Sequence, residues 1–263
     1  MSHVSIKTLN DMKRAGEKIV ALTAYDATFA RVLDKAGVEV LLVGDSLGNV
    51  VQGHESTLPV TIGDMVYHSA NVCRGIEHAM VMTDLPYMSY AQPAQALGNA
   101  ARLMSEGGAQ VVKLEGGAWV AETVRLLSER GIPACGHLGL QPQSIHRMGG
   151  YRVQGRGAEA AREIKQDALA LQEAGAVMLV LECVPRALAA EIAVELSIPV
   201  IGIGAGAGCD GQVLVLHDML GIGVPHKFTR DFMSGSGSIA EAISKYVHAV
   251  KAGEFPGPEN GFD

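Results

Sequence analysis

Gly107-Gly-Ala-Gln-Val-Val-Lys-Leu-Glu115 is the stretch that decides the fold. Gly107 sits where a helix needs a left-handed residue to stop, a short apolar β-branched run follows, and the run closes on a lysine and a glutamate. The pattern returns in Gly37-Val-Glu-Val-Leu-Leu-Val-Gly-Asp45, in Gly131-Ile-Pro-Ala-Cys-Gly-His137 and in Gly175-Ala-Val-Met-Leu-Val-Leu-Glu182. Each repeat reads as a helix stop, a buried strand and an ionisable group at the strand's C-terminal end.

Working outward, apolar runs at 19–22, 38–43, 79–82, 110–114, 132–135, 176–181, 199–203 and 213–216 alternate with stretches of helical periodicity at 29–36, 62–75, 93–106, 119–130, 158–174 and 185–196. Pro93 and Pro185 suit first helical turns. Alternation of this kind builds βα units around a parallel sheet, and eight strands close a barrel, although an open doubly wound sheet can hold as many. With 263 residues the whole chain, 1–263, is expected to form a single (β/α)8-barrel catalytic domain. A helix before Lys18 would cover the barrel's bottom, and a C-terminal helical extension near 239–250 would pack outside or at a subunit contact.

Composition removes several function classes. Hydrophobic residues make up 48% and charged residues 19% of the chain, ample for a packed core. Lys and Arg number 21 against 28 Asp and Glu, a net charge of -7 with no basic stretch interleaved with aromatics, so nucleic acid is not an expected partner. No apolar run is long and uninterrupted enough for a membrane span or a signal core, which points to a soluble, cytoplasmic protein. Cys73, Cys135, Cys183 and Cys209 form no Cys-x-x-Cys pair and read as reduced core thiols.

In a barrel of this type the chemistry lies just past the strands' C-terminal ends. Asp45 and Ser46 follow the second run, Asp84 the third, Lys113 and Glu115 end the fourth, His137 follows the fifth and Glu182 the sixth. Taken singly, each acid reads most simply as a helix N-cap, His137 as a core histidine and Lys113 as the ion-pair partner of Glu115. Gathered on one rim, four carboxylates repel one another unless a cation joins them. Asp45, Asp84 and Glu115 offer oxygen ligands without a thiolate or a histidine pair, a set that favours Mg2+ over Zn2+. Three loops add context: 48–61; 136–143; and 149–157, a glycine-bounded segment that reads as a hinged lid. Ile203-Gly-Ala-Gly-Ala-Gly208 reads as a phosphate cradle or a tight turn.

Thr23-Ala-Tyr-Asp26, Val43-Gly-Asp-Ser-Leu-Gly48, Thr57-Leu-Pro-Val60, Asp84-Leu-Pro86, Lys113-Leu-Glu-Gly-Gly117, Gly136-His-Leu-Gly-Leu140, Gly149-Gly-Tyr151, Val153-Gln-Gly-Arg-Gly157, Leu181-Glu-Cys-Val184 and Ile201-Gly-Ile-Gly-Ala-Gly206 occur in that order. Together they cover nearly the whole chain, which resembles the ketopantoate hydroxymethyltransferases. One departure is Pro225-His-Lys-Phe228, where the family often reads Pro-Lys-Phe; it touches none of those motifs. The resemblance implies a (β/α)8 barrel and a homo-oligomer, usually a decamer. It implies Mg2+-dependent transfer of a hydroxymethyl group from 5,10-methylenetetrahydrofolate to 3-methyl-2-oxobutanoate, giving 2-dehydropantoate for pantothenate and coenzyme A synthesis. It also implies Asp45, Asp84 and Glu115 around the metal, Asp45, Ser46, Asp84 and Lys113 on the keto acid, and Glu182 as proton acceptor.

His137 is expected among the substrate-binding residues, on the enolate or on the incoming one-carbon unit. Rival readings are a Mg2+-dependent lyase or mutase on a similar barrel, a Schiff-base aldolase using Lys113, and a non-catalytic barrel that binds a keto acid.

Overall fold

The computed structural model describes residues 3–263. Eight parallel strands, β1 (Ile19–Thr23), β2 (Val40–Val43), β3 (Met80–Asp84), β4 (Val111–Glu115), β5 (Ala134–Gly139), β6 (Met178–Glu182), β7 (Val200–Ile203) and β8 (Gly211–Leu214), pair in sequence order. The β1–β8 pairing closes the barrel, so an open sheet is ruled out.

A period of two divides every strand between two cores. Val20, Leu22, Leu41, Val81, Val112, Leu114, Leu179 and Leu181 face outward into the layer between strands and helices. Ile19, Ala21, Val40, Leu42, Met80, Met82, Val111, Cys135, Met178, Val180, Ile201 and Val213 pack together inside the barrel. Fully burying one such aliphatic side chain is worth about 1.5–3 kcal/mol, so the inner rows alone are a large share of the driving force.

The helix Ile6–Ala15 seals the bottom. It is capped by Ser5, contributes Leu9 and Met12 to the inner core, and is tied down by Lys13, whose Nζ lies 2.6 Å from Asp210 and 2.7 Å from the Ala193 carbonyl. Around the outside, Asp26 caps Ala27–Lys35 and Thr61 caps Ile62–Cys73 through a capping box with Asp64. Pro93–Ser105, Ala121–Glu129, Ala158–Glu173 and Arg186–Glu195 follow β3, β4, β5 and β6.

Several boundaries differ from those read in the sequence. β5 runs on to Gly139 although its apolar run ends at Cys135, because the glycines that break the hydrophobic pattern still pair with β6. β8 starts at Gly211, and Leu216 opens a short helix, Leu216–Met219, instead of ending the strand. Stretch 119–130 divides into a 3-10 turn, Ala118–Val120, and the helix Ala121–Glu129. The left-handed residue after Pro93–Ser105 is Gly108, not Gly107. Pro185 stands one residue before the helix Arg186–Glu195, as its N-cap.

Two further segments find their places. Ile239–Lys251 packs against β1 and Ala27–Lys35 as the outer helix that follows β8, with the Tyr246 hydroxyl donating to the carbonyls of Ala21 and Gln212. The glycine run after β7 descends along Arg186–Glu195. A Cβ at Gly206 would stand 2.6 Å from the Arg186 Cβ, and one at Gly208 2.6 Å from the Ala190 Cβ, so this run serves close chain packing.

Candidate active site

The inward-facing rows change character as they rise. Met80 and Met82 lead to Asp84, Val111 leads to Lys113 and Glu115, Cys135 leads to His137, and Met178 and Val180 lead to Glu182. Strand pleat therefore carries five ionisable groups from four neighbouring strands to one rim, and Asp45 and Ser46 join them just past β2. All seven residues line one cavity of about 880 Å³ at the C-terminal end of the barrel. Neither Asp45 nor Asp84 caps a helix, which removes the simpler reading of both.

The contacts are close and mostly buried. Lys113 Nζ stands 2.9 Å from Asp84 Oδ1 and 3.3 Å from His137 Nδ1, all three side chains being buried. The Asp84 pairing is an ion pair at contact distance without hydrogen-bond alignment, so Oδ1 is left without a hydrogen-bond partner, while Oδ2 accepts from the Asp45 backbone N–H at 3.1 Å. An ammonium can only donate, so His137 Nδ1 accepts from Lys113 and the neutral ring carries its proton on Nε2. That atom lies 3.2 Å from Glu182 Oε2, again close without full alignment. Glu115 Oε1 is 3.6 Å from His137 Nδ1.

Burial and crowding set the charges. Burial first, then the Asp84 charge, pushes Asp45 up to about 7. Glu115 is raised well above the usual carboxylate range, chiefly by burial and then by Asp45. Burial lifts Glu182 to about 7, with the charges of Lys113 and His226 pulling the other way. Burial, aided by Lys113, holds His137 well below the usual imidazole range. Burial works against the charge on Lys113, but Asp84, Glu115 and Asp45 together outweigh it and the ammonium is held more firmly than usual.

Four carboxylates thus share one fixed cation, and the excess negative charge is stored as raised proton affinity. Among the described residues no three Asp, Glu, His or Cys side chains already converge on a single metal position. The donor set nonetheless fits a hard divalent ion. It consists of carboxylate oxygens with no thiolate among them, in a site whose surplus charge a dication would relieve.

Two residues not singled out in the sequence complete the site. The Tyr25 hydroxyl is 2.9 Å from Ser46 Oγ. Gln143, buried in the short loop after β5, donates its side-chain amide to Asp45 Oδ2 at 2.8 Å and its backbone N–H to Glu115 Oε2 at 3.1 Å. The motif Gln141-Pro-Gln143 was the available signal, a polar pair round a proline directly after a strand ending in glycine.

Glycine places the neighbouring backbone. Gly139 has φ 89°, and a Cβ there would collide with the Glu182 carbonyl, which accepts instead from Leu140 N–H at 2.8 Å. From loop 48–61, Asn49, Val50 and Thr57 reach the cavity, whereas Gln52 and His54 do not line it. Tyr151, Arg152 and Val153 of loop 149–157 border its mouth, and Gln154 N–H donates to the Cys183 carbonyl at 2.9 Å.

The family model for ketopantoate hydroxymethyltransferase matches residues 3–258. The 3-methyl-2-oxobutanoate hydroxymethyltransferase of Nitrosococcus oceani is 61% identical over 258 residues, covering 97% of this chain and 98% of its own. That of Pseudomonas putida strain F1 is 58% identical over 265 residues, covering 100% and 99%. Among solved structures, a phosphonopyruvate hydrolase crystallised with oxalate and Mg++ superposes with a TM-score of 0.62 at 10% identity, covering 94% of this chain and 98% of its own. At that identity the likeness is one of fold. No helix among the described residues is long and apolar enough to cross a membrane.

Proposed function

The chain belongs to the ketopantoate hydroxymethyltransferase family, and from that premise we propose that its rim transfers a hydroxymethyl group from 5,10-methylenetetrahydrofolate to 3-methyl-2-oxobutanoate with Mg2+ as cofactor. Asp45, Asp84 and Glu115 would hold the cation. When bound, it supplies a Lewis acid that draws electron density from the keto group and makes the C3 hydrogen more acidic.

The chain's own residues do the rest. Lys113, kept charged by Asp84, Glu115 and Asp45, neutralises the substrate carboxylate. Ser46, paired with Tyr25, hydrogen-bonds that carboxylate and fixes its orientation. Glu182 takes the proton from C3. An ordinary carboxylate is a weak base for a carbon acid, and lifting Glu182 to about 7 strengthens it while leaving much of it ionised at neutral pH. Its largely buried position, 15% exposed at the cavity wall with Oε2 3.2 Å from His137 Nε2, is the observation that carries this assignment. His137, polarised from behind by Lys113, steadies the glutamate before it acts and the reacting oxygen afterwards.

Overall, one C–H bond and the donor's two C–N bonds to its methylene carbon are broken. One O–H bond of a water molecule is broken as well. One C–C bond, one C–O bond whose oxygen comes from that water, and two N–H bonds on the released tetrahydrofolate form, the latter taking up the C3 proton and the water proton. Lys113 is a poor candidate for a Schiff-base nucleophile, because that route needs a neutral amine and this one is held charged.

The test is product formation from both substrates by chelator-stripped protein before and after Mg2+ is restored. Little product without the ion and recovery on its return are expected. Equal rates would refute the metal role. A homo-oligomer, by family a decamer, belongs to the same proposal and is checked by light scattering.

A further inference from the structure

Gln143 is bound at every polar end. Its amide nitrogen donates to Asp45 Oδ2 at 2.8 Å and to the Leu85 carbonyl at 3.0 Å, and its amide oxygen accepts from the Tyr90 hydroxyl at 2.6 Å. Its backbone N–H donates to Glu115 Oε2 at 3.1 Å. The side chain is 7% exposed, and so is Tyr90. One residue thereby holds one oxygen of each of two carboxylates that come from different strands, β2's end and β4.

The amide has only one workable orientation. Turned over, its oxygen would face the Asp45 carboxylate and the Leu85 carbonyl, two acceptors, and its NH2 would face the Tyr90 hydroxyl. The two acceptors therefore fix the NH2 on Asp45, and the Tyr90 hydroxyl, donating to the amide oxygen, holds the other end of the same amide in place. Without these donors Asp45 and Glu115, mutually repulsive and buried, would be free to turn apart.

We propose that Gln143, locked by Tyr90, is a positioning residue that sets the spacing and facing of the Asp45 and Glu115 carboxylates, so that their remaining oxygens are preorganised for a divalent cation. This rests on the metal reading given above. The expected size follows from groups that orient metal ligands without touching the metal, whose loss costs about 10–100-fold in affinity.

The experiment is calorimetric titration of chelator-stripped full-length protein with Mg2+ alone, comparing the parent chain with Gln143→Leu and Tyr90→Phe. Gln143→Leu should weaken Mg2+ binding by about 10–100-fold. Tyr90→Phe, which removes one hydroxyl, should weaken it by less in the same direction. With both substrates present, saturating Mg2+ should restore most of kcat in Tyr90→Phe, a split that general loss of structure would not produce. Parent-like Mg2+ affinity in a Gln143→Leu protein with native circular dichroism would overturn the inference alone. If that variant does not fold, unchanged affinity in Tyr90→Phe overturns it. A parent chain that takes up no Mg2+ overturns the metal reading, and this inference with it.

Discussion

The two ends of the barrel use the same strands to opposite effect. At the bottom, Ile19, Val40, Met80, Val111 and Met178 close on Leu9 and Met12, and every inward side chain is apolar. Two residues higher on β4, and four higher on β3 and β6, the same rows present Lys113, Asp84 and Glu182, with Glu115 one further step along β4. The lower end lowers free energy by removing apolar surface from water. The upper end gathers charges where each costs free energy to bury. Stability and chemistry are thus separated along the barrel axis, not between domains.

That separation can be broken residue by residue. The largest effect is expected from Glu182→Gln, which keeps shape and removes the base: kcat should fall by about 10²–10⁴-fold with the keto acid still bound, as measured by steady-state kinetics and substrate titration. Near-normal turnover would remove Glu182 from its role. Lys113→Met should damage both functions of the upper end, because it strands Asp84 and its neighbours without their cation. Breaking a buried pair by removing one partner costs about 3–5 kcal/mol, to be read from urea unfolding, and keto-acid binding should be lost as well.

At the lower end, Leu9→Ala should cost about 2–5 kcal/mol of stability with kcat and KM unchanged, since it opens a cavity far from the rim. A kinetic change there would contradict the separation.

The smallest effect is on pH dependence. Asp45 and Glu182 bind protons more tightly folded than unfolded, rising from 3.8 and 4.5 to about 7. Their contribution is fully present below pH 4 and is lost as pH rises through 7, at up to about 1.4 kcal/mol per pH unit for each proton. The metal-free protein should therefore melt at a lower temperature at pH 8 than at pH 5.5, and the Asp45→Asn and Glu182→Gln substitutions should each flatten the slope.

The difference between the two ends also explains what could be read in advance. β4 and β6 are contiguous apolar runs that finish on their functional residues, so one local pattern carries strand, direction and chemistry. Glu115 and Glu182 end their strands and are legible for that reason, whereas His137 lies inside β5 and is legible because the glycine break makes the apolar run stop just before it. β5 was cut short because Gly136 and Gly139 interrupt hydrophobicity while serving close approach to β6. The roles of Gln143 and Tyr90 were not legible, because they depend on where a loop after β5 and a turn after β3 meet in space; the Gln141-Pro-Gln143 motif marks a polar turn but not its partners, and Tyr90 carries no local signature. Tyr25 is similar: its partner Ser46 belongs to the next strand's end.

The central claim is that this rim loosens the C3 hydrogen of a 2-oxo acid, and proton NMR tests it without the second substrate. The protein, Mg2+ and 3-methyl-2-oxobutanoate are incubated in deuterated water, and the C3 signal is followed. Steady loss of that signal, abolished by Glu182→Gln, is the predicted result. Saturable binding of the keto acid with the C3 signal undiminished would contradict it.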